Sequence, residues 1–125
     1  LSALEGKELK EEELIQSLRE SCSNLIFCEI QGQYYIETGK ETLPAELVLK
    51  AYDFFEQTVE LLLEQGGSLF YRMDGVLRIS VNLEGVCRTE SLKEKYPLLH
   101  MEQEEEKEWF LALQLSEKGG RDEIL

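Results

Sequence analysis

Few of the side chains that could carry chemistry in this 125-residue chain stand beside a partner. The single histidine, His100, lies between Leu99 and Met101 with no cysteine or aspartate nearby, so a structural or exposed role is expected rather than metal ligation or proton transfer. Cys22, Cys28 and Cys87 are odd in number, widely spaced and unaccompanied by histidine. That pattern is neither a zinc spacing nor a disulfide framework, and reduced, partly buried thiols are expected. Ser17, Ser21 and Ser23 cluster around Glu20 without a base to activate them, and no Gly-x-Ser-x-Gly elbow occurs, so hydrolase chemistry has no support. The acidic run Glu102 to Glu108 lacks the glycine and alternating ligands of a calcium loop and reads as a solvated hairpin tip. Trp109 and Phe110 are adjacent on an expected strand and point to opposite faces, so one enters the core and the other is a candidate contact patch.

The elements that must position these residues follow from apolar spacing. Leu9, Leu14, Ile15, Leu18 and Cys22 mark an amphipathic helix from about Glu8 to Asn24. The β-prone runs Leu25 to Ile30 and Tyr34 to Ile36 flank Gln31-Gly32-Gln33, where a hairpin turn is expected. After a loop from Gly39 to Thr42, Pro44 opens a long helix with Leu47, Val48, Ala51, Phe54, Phe55, Val59 and Leu62 on one face, stopped by Gly66 and Gly67. Ser68 to Arg72 and Val76 to Val81 form a second hairpin across Met73-Asp74-Gly75. A short helix from Thr89 to Lys95 is closed off by Pro97, and strands at Leu98 to Met101 and Trp109 to Leu115 complete the chain. The expected fold class is α+β: a two-layer α/β sandwich with helices on one face of a mixed, mostly antiparallel sheet. Residues 1–116 are expected to form a single domain and 117–125 a disordered tail.

Composition excludes several partners. The chain is 42% hydrophobic, with 5 Phe, 5 Tyr and 1 Trp, as a globular domain should be. A net charge of −13, from 26 acidic and 13 basic residues, repels phosphate backbones and anionic membrane surfaces, so neither nucleic acid nor direct membrane contact is expected. No segment reaches the roughly 20 apolar residues that cross a bilayer. A start at Leu1 rather than methionine suggests an excised or processed fragment with neighbours that include membrane spans or other domains.

Three stretches carry a family resemblance: Leu43-Pro44-Ala45-Glu46-Leu47 through Glu56, Gly67 to Arg72, and Leu77 to Gly85. Their order and spacing resemble the ATPase (catalytic and ATP-binding, GHKL-type) domain of a bacterial sensor histidine kinase, with Arg88 to Tyr96 similar to the helix after its nucleotide lid and Trp109 to Leu115 to its closing strand. In that family a helix carries a glutamate and, four residues on, a magnesium-binding asparagine, and a hairpin ends in an aspartate-x-glycine turn. The resemblance places Glu56 at the glutamate, Glu60 at the asparagine, Leu63 at a basic residue, Glu64 at a frequent histidine, Leu83 at the adenine-binding aspartate and Gly85 at the surviving glycine. No room remains between Gly85 and Ser91 for the glycine-rich lid. Glu56, Glu60 and Glu64, at i, i+4 and i+8, read as one acidic stripe where a polyphosphate would approach.

The resemblance therefore implies an ATPase-like domain in two-component signalling that is degenerate and holds no ATP. It would act as a cytoplasmic regulatory or interaction module, with its own kinase chain as a dimer or a response regulator as partner. No catalytic residue, metal or cofactor is assigned. The acceptor histidine of such kinases sits on a helical hairpin that this stretch lacks, so the chain alone is expected to be inactive. Two alternatives stay open: a rearranged but functional site with Glu56 and Glu60 on magnesium and ATP bound, or an unrelated α/β protein-interaction domain.

Overall fold

A computed structural model describes residues 6–115. In chain order the elements are β1 (Glu8–Lys10), α1 (Glu11–Leu25), a 3-10 turn (Ile26–Cys28), β2 (Ile30–Ile36), β3 (Thr42–Pro44), α2 (Ala45–Leu62), β4 (Gly67–Met73), β5 (Arg78–Glu84), α3 (Glu90–Lys95), β6 (His100–Glu105) and β7 (Glu108–Gln114). Five strands form one sheet in the order β2-β4-β5-β7-β6, while β1 and β3 pair separately as a short antiparallel ribbon. Within the large sheet only β2 and β4 are parallel, because α2 lies between them in sequence and returns the chain in the same direction.

Alternation along the strands builds the core. Leu69, Tyr71 and Met73 of β4, Ile79, Val81 and Leu83 of β5, and Leu111 and Leu113 of β7 are buried on one face. Against that face α2 packs Leu47, Val48, Ala51, Phe54, Phe55 and Leu62, a helical stripe whose side chains each contribute up to about 1.5–3 kcal/mol through burial. Helix α1 adds Leu14, Leu18 and Leu25, and α3 adds Leu92. Aromatic edges fix the layer spacing: Phe55 meets Tyr71 edge-on at 5.5 Å and Phe54 meets Tyr96 at 5.1 Å. The Tyr71 hydroxyl donates to the Ala51 carbonyl at 2.8 Å, tying sheet to helix. The architecture is the expected α/β sandwich, with a mostly antiparallel sheet and its helices on one side.

Local departures from expectation have identifiable causes. The expected strand from Leu25 to Ile30 is absent up to Glu29, and only Ile30 is extended, as the start of β2: the α1 stripe at Leu14 and Leu18 continues to Leu25, and this helical period overrides the β propensity of Ile26 and Phe27, which are left exposed. Gln31-Gly32-Gln33 is not a turn but the middle of β2. A Cβ at Gly32 would stand 2.7 Å from Leu25 Cδ1 and 3.1 Å from Cys22 Sγ, so the glycine there admits the close approach of α1. The Glu8 to Lys10 segment is a strand on β3 rather than the first turn of α1. The second hairpin sits on an aspartate turn, in which Asp74 Oδ1 accepts from the Val76 and Arg78 amides at 3.0 and 3.1 Å. The acidic run is not a loop: Glu102 to Glu105 belong to β6, and only Glu106 and Lys107 turn. The tail 117–125 lies outside the described residues.

Candidate functional site

The C-terminal end of α2 and the segment that follows β5 enclose a cleft of about 330 Å³, lined by Glu60 and Glu64 on the helix side and by Gly85, Val86, Cys87 and Arg88 opposite. Five residues, Gly85 to Thr89, connect β5 to α3, and they lie close to the fold. The Gly85 and Val86 amides donate to the Lys107 carbonyl at 2.8 and 3.2 Å, the Val86 carbonyl accepts from Trp109 Nε1 at 3.0 Å, and Val86 and Thr89 are buried. Trp109 thus points to the core side of β7, and Phe110 to the open side, where it is half-buried.

Of the six positions read from the sequence, the structure brings three together. Glu60, Glu64 and Gly85 share the cleft. Glu56 and Leu63 line a separate groove of about 400 Å³ between α1 and α2, beside Ser21, Asn24 and Val59, and Glu60 borders both. Leu83 lies in neither: it is 1% exposed and opposes Leu69 and Trp109 on the core face of the sheet. Cys87 and Arg88 line the cleft without having been read as site residues, since neither belongs to a spacing that signals chemistry.

Gly85 has a packing role of its own. At φ +104, an added Cβ would meet the Gly66 carbonyl at 2.7 Å and Gly67 Cα at 3.2 Å, so the backbones at the end of α2 and the end of β5 can touch only through glycine. The electrostatics of the cleft are weak and mixed. Arg88 Nε lies 3.5 Å from Glu90 Oε1 in a pair open to solvent. Glu90 at the start of α3 has its carboxyl below the ordinary value, chiefly through its own backbone amide and secondarily through Arg88.

Glu60 and Glu64 place two carboxylates in the cleft, Leu83 lies in the core, and of the five-residue connection the Gly85 and Val86 amides are taken up by the Lys107 carbonyl. Among the described residues no group of three or more His, Cys, Asp and Glu side chains could hold a metal ion. The remaining candidates are also separate. Cys22 is half-buried with its thiol pushed up by burial, Cys28 and Cys87 are exposed, and His100 Nε2 pairs with Glu102 Oε1 at 2.8 Å on the open face. Ser17 and Ser23 bond the carbonyls of Glu13 and Arg19, and Ser21 bonds the Tyr52 hydroxyl. No helix among the described residues is long and apolar enough to cross a membrane.

Compared with known proteins, the sequence matches no family model and no curated protein. Solved structures do match. The catalytic domain of histidine kinase ThkA superposes with a TM-score of 0.53 at 17% identity, over 90% of this chain and 97% of that one. Histidine kinase ThkA in complex with response regulator protein TrrA gives 0.56 at 14% identity, over 90% of this chain and 42% of that one. The cytoplasmic segment of histidine kinase QseC gives 0.53 at 15% identity, over 93% and 80%. The chain has the fold of a histidine-kinase catalytic, ATPase-like domain.

Proposed function

We propose that this chain is the ATPase-like domain of a sensor histidine kinase in two-component signalling, that it has lost nucleotide binding, and that it acts as a regulatory or interaction module. The observation that carries this reading is the burial of Leu83 at the position the resemblance gives to the adenine acceptor. A polar ligand cannot be recognised by a side chain with no acceptor, sealed between Leu69 and Trp109. The carboxylates of Glu60 and Glu64 in the cleft add repulsion toward a triphosphate. The functional alternative has Glu56 and Glu60 sharing a metal; both line the groove between α1 and α2, but among the described residues no third His, Cys, Asp or Glu joins them to complete a ligand set. Within a kinase the module would act on the cytoplasmic side of the membrane through protein contacts. The complex of ThkA with a response regulator supports such a partner, as does the kinase chain itself. Titration calorimetry of the chain with magnesium-ATP and magnesium-ADP tests the reading. No saturable heat is expected up to millimolar nucleotide, and a Kd tighter than about 1 mM (roughly −4 kcal/mol) would overturn it.

A further inference from the structure

The helices cover one face of the sheet and leave the other to solvent, and the charges on that open face are sorted along the strand direction. One end carries Arg72 and Arg78, with Tyr35, Ser80 and His100 in the cross-strand row through Arg72. The opposite end carries Glu84 and Glu108 facing each other, with Glu105 beside them. Between the two ends runs the row Gln33, Phe70, Asn82, Phe110, Glu102, in which Phe70 is 37% exposed and Glu102 stands at the β6 edge, paired with His100.

We propose that this open face is an interface between two copies of the chain, packed sheet to sheet about a two-fold axis that lies across the strands along the Phe70–Phe110 row. The charge pattern selects this arrangement. An axis across the strands sets the arginine end of one copy on the acidic end of the other, whereas an axis parallel to the strands would stack like on like. On the axis Phe70 and Phe110 meet their own counterparts, Glu102 meets its own at the open β6 edge, where water screens the like charges, and Arg72, one row below, meets the Ser68–Glu84 row of the second copy. Arg72 is prepared for this. Its guanidinium lies 5.2 Å over the Phe70 ring and donates to Asn82 Oδ1 at 2.9 Å, both neutral partners, while its Nε is buried with no acceptor. Each copy carries −13, so two copies approach favourably only where one presents cations. Glu37 and Asp74 at the rim of that end are already engaged, by the Tyr35 hydroxyl and by two backbone amides. Five strands about 4.8 Å apart and about 20 Å long give a footprint of roughly 450 Å² in projection, at the low end of specific interfaces, so a weak dimer is the expected product.

The inference stands on the sheet face and does not depend on the nucleotide cleft. Sedimentation equilibrium of the 125-residue chain between about 10 µM and 1 mM tests it. A dimer with a Kd of order 100 µM is expected. Arg72→Glu and Glu84→Arg singly should each weaken it about tenfold, and the double variant, which restores opposite charges across the axis, should return to within about threefold of the parent. Glu84 is exposed, so its substitution carries the test if Arg72→Glu perturbs the fold. A parent that stays monomeric at 1 mM, or a double variant as weak as the singles, overturns the proposal.

Discussion

Leu83→Asp places the acceptor that kinase-like nucleotide recognition requires at the position the sequence resemblance assigns to it, and the structure determines what this costs. Leu83 is 1% exposed. Removing its buried side chain forfeits about 2 kcal/mol of apolar burial. An aspartate there must also stay neutral, since no cation lies among its cross-strand neighbours Leu69 and Trp109. Holding a group of ordinary pKa near 3.9 protonated at pH 7 costs about 1.4 kcal/mol per unit, or about 4 kcal/mol. The sum, about 6 kcal/mol, is comparable to the whole stability of a small domain at 5–15 kcal/mol. The variant should therefore be largely or wholly unfolded at pH 7 by circular dichroism and urea titration. The sign of the pH dependence follows from the raised folded-state pKa: the destabilising increment is absent below about pH 4 and grows as pH rises toward 7. If Leu83→Asp folds within about 1 kcal/mol of the parent at pH 7, Leu83 faces an open site and the reasoning fails.

Two further substitutions test the packing around α2 and the end of α1. Burial pushes the Tyr71 phenol well above its ordinary value, so the unfolded chain gives up this proton first and stability should fall as pH rises past about 10. Tyr71→Phe should cost about 1 kcal/mol at neutral pH by urea titration, through loss of the bond to Ala51, and should flatten that alkaline decline. Glu29 sits exposed at φ +60, a conformation disfavoured for a residue with a Cβ, so Glu29→Gly should stabilise by about 0.5–1 kcal/mol in a thermal melt.

The long helix α2 and the Asp74-Gly75 hairpin are legible in the sequence because each is specified locally, by a seven-position apolar stripe and by a turn pair. Gly32 misleads because its requirement is tertiary: glycine serves equally to reverse a chain and to let a helix approach, and only the positions of Cys22 and Leu25 tell which. The Glu102 to Glu105 segment misleads in another way. Strong negative charge reads as loop, but an edge strand open to water tolerates charge, and glutamates on an edge discourage unwanted pairing. At the site, Gly85 was visible as a single glycine, whereas the division of the acidic stripe was not. Glu56 and Glu60 lie on α2, whereas the helix ends at Leu62 and Glu64 falls in the turn that follows. Glu56 therefore keeps to the α1 side, Glu60 borders both cavities, and Glu64 reaches the cleft from beyond the helix end.

The measurement that bears most directly on the loss of nucleotide binding is an amide ¹⁵N–¹H spectrum of the chain titrated with magnesium-ATP to about 5 mM. The backbone signals of Glu60, Glu64, Gly85 and Arg88 line the cleft and should stay in place, apart from the uniform drift caused by added salt. Saturable shifts at these four residues with a midpoint below 1 mM would contradict the account.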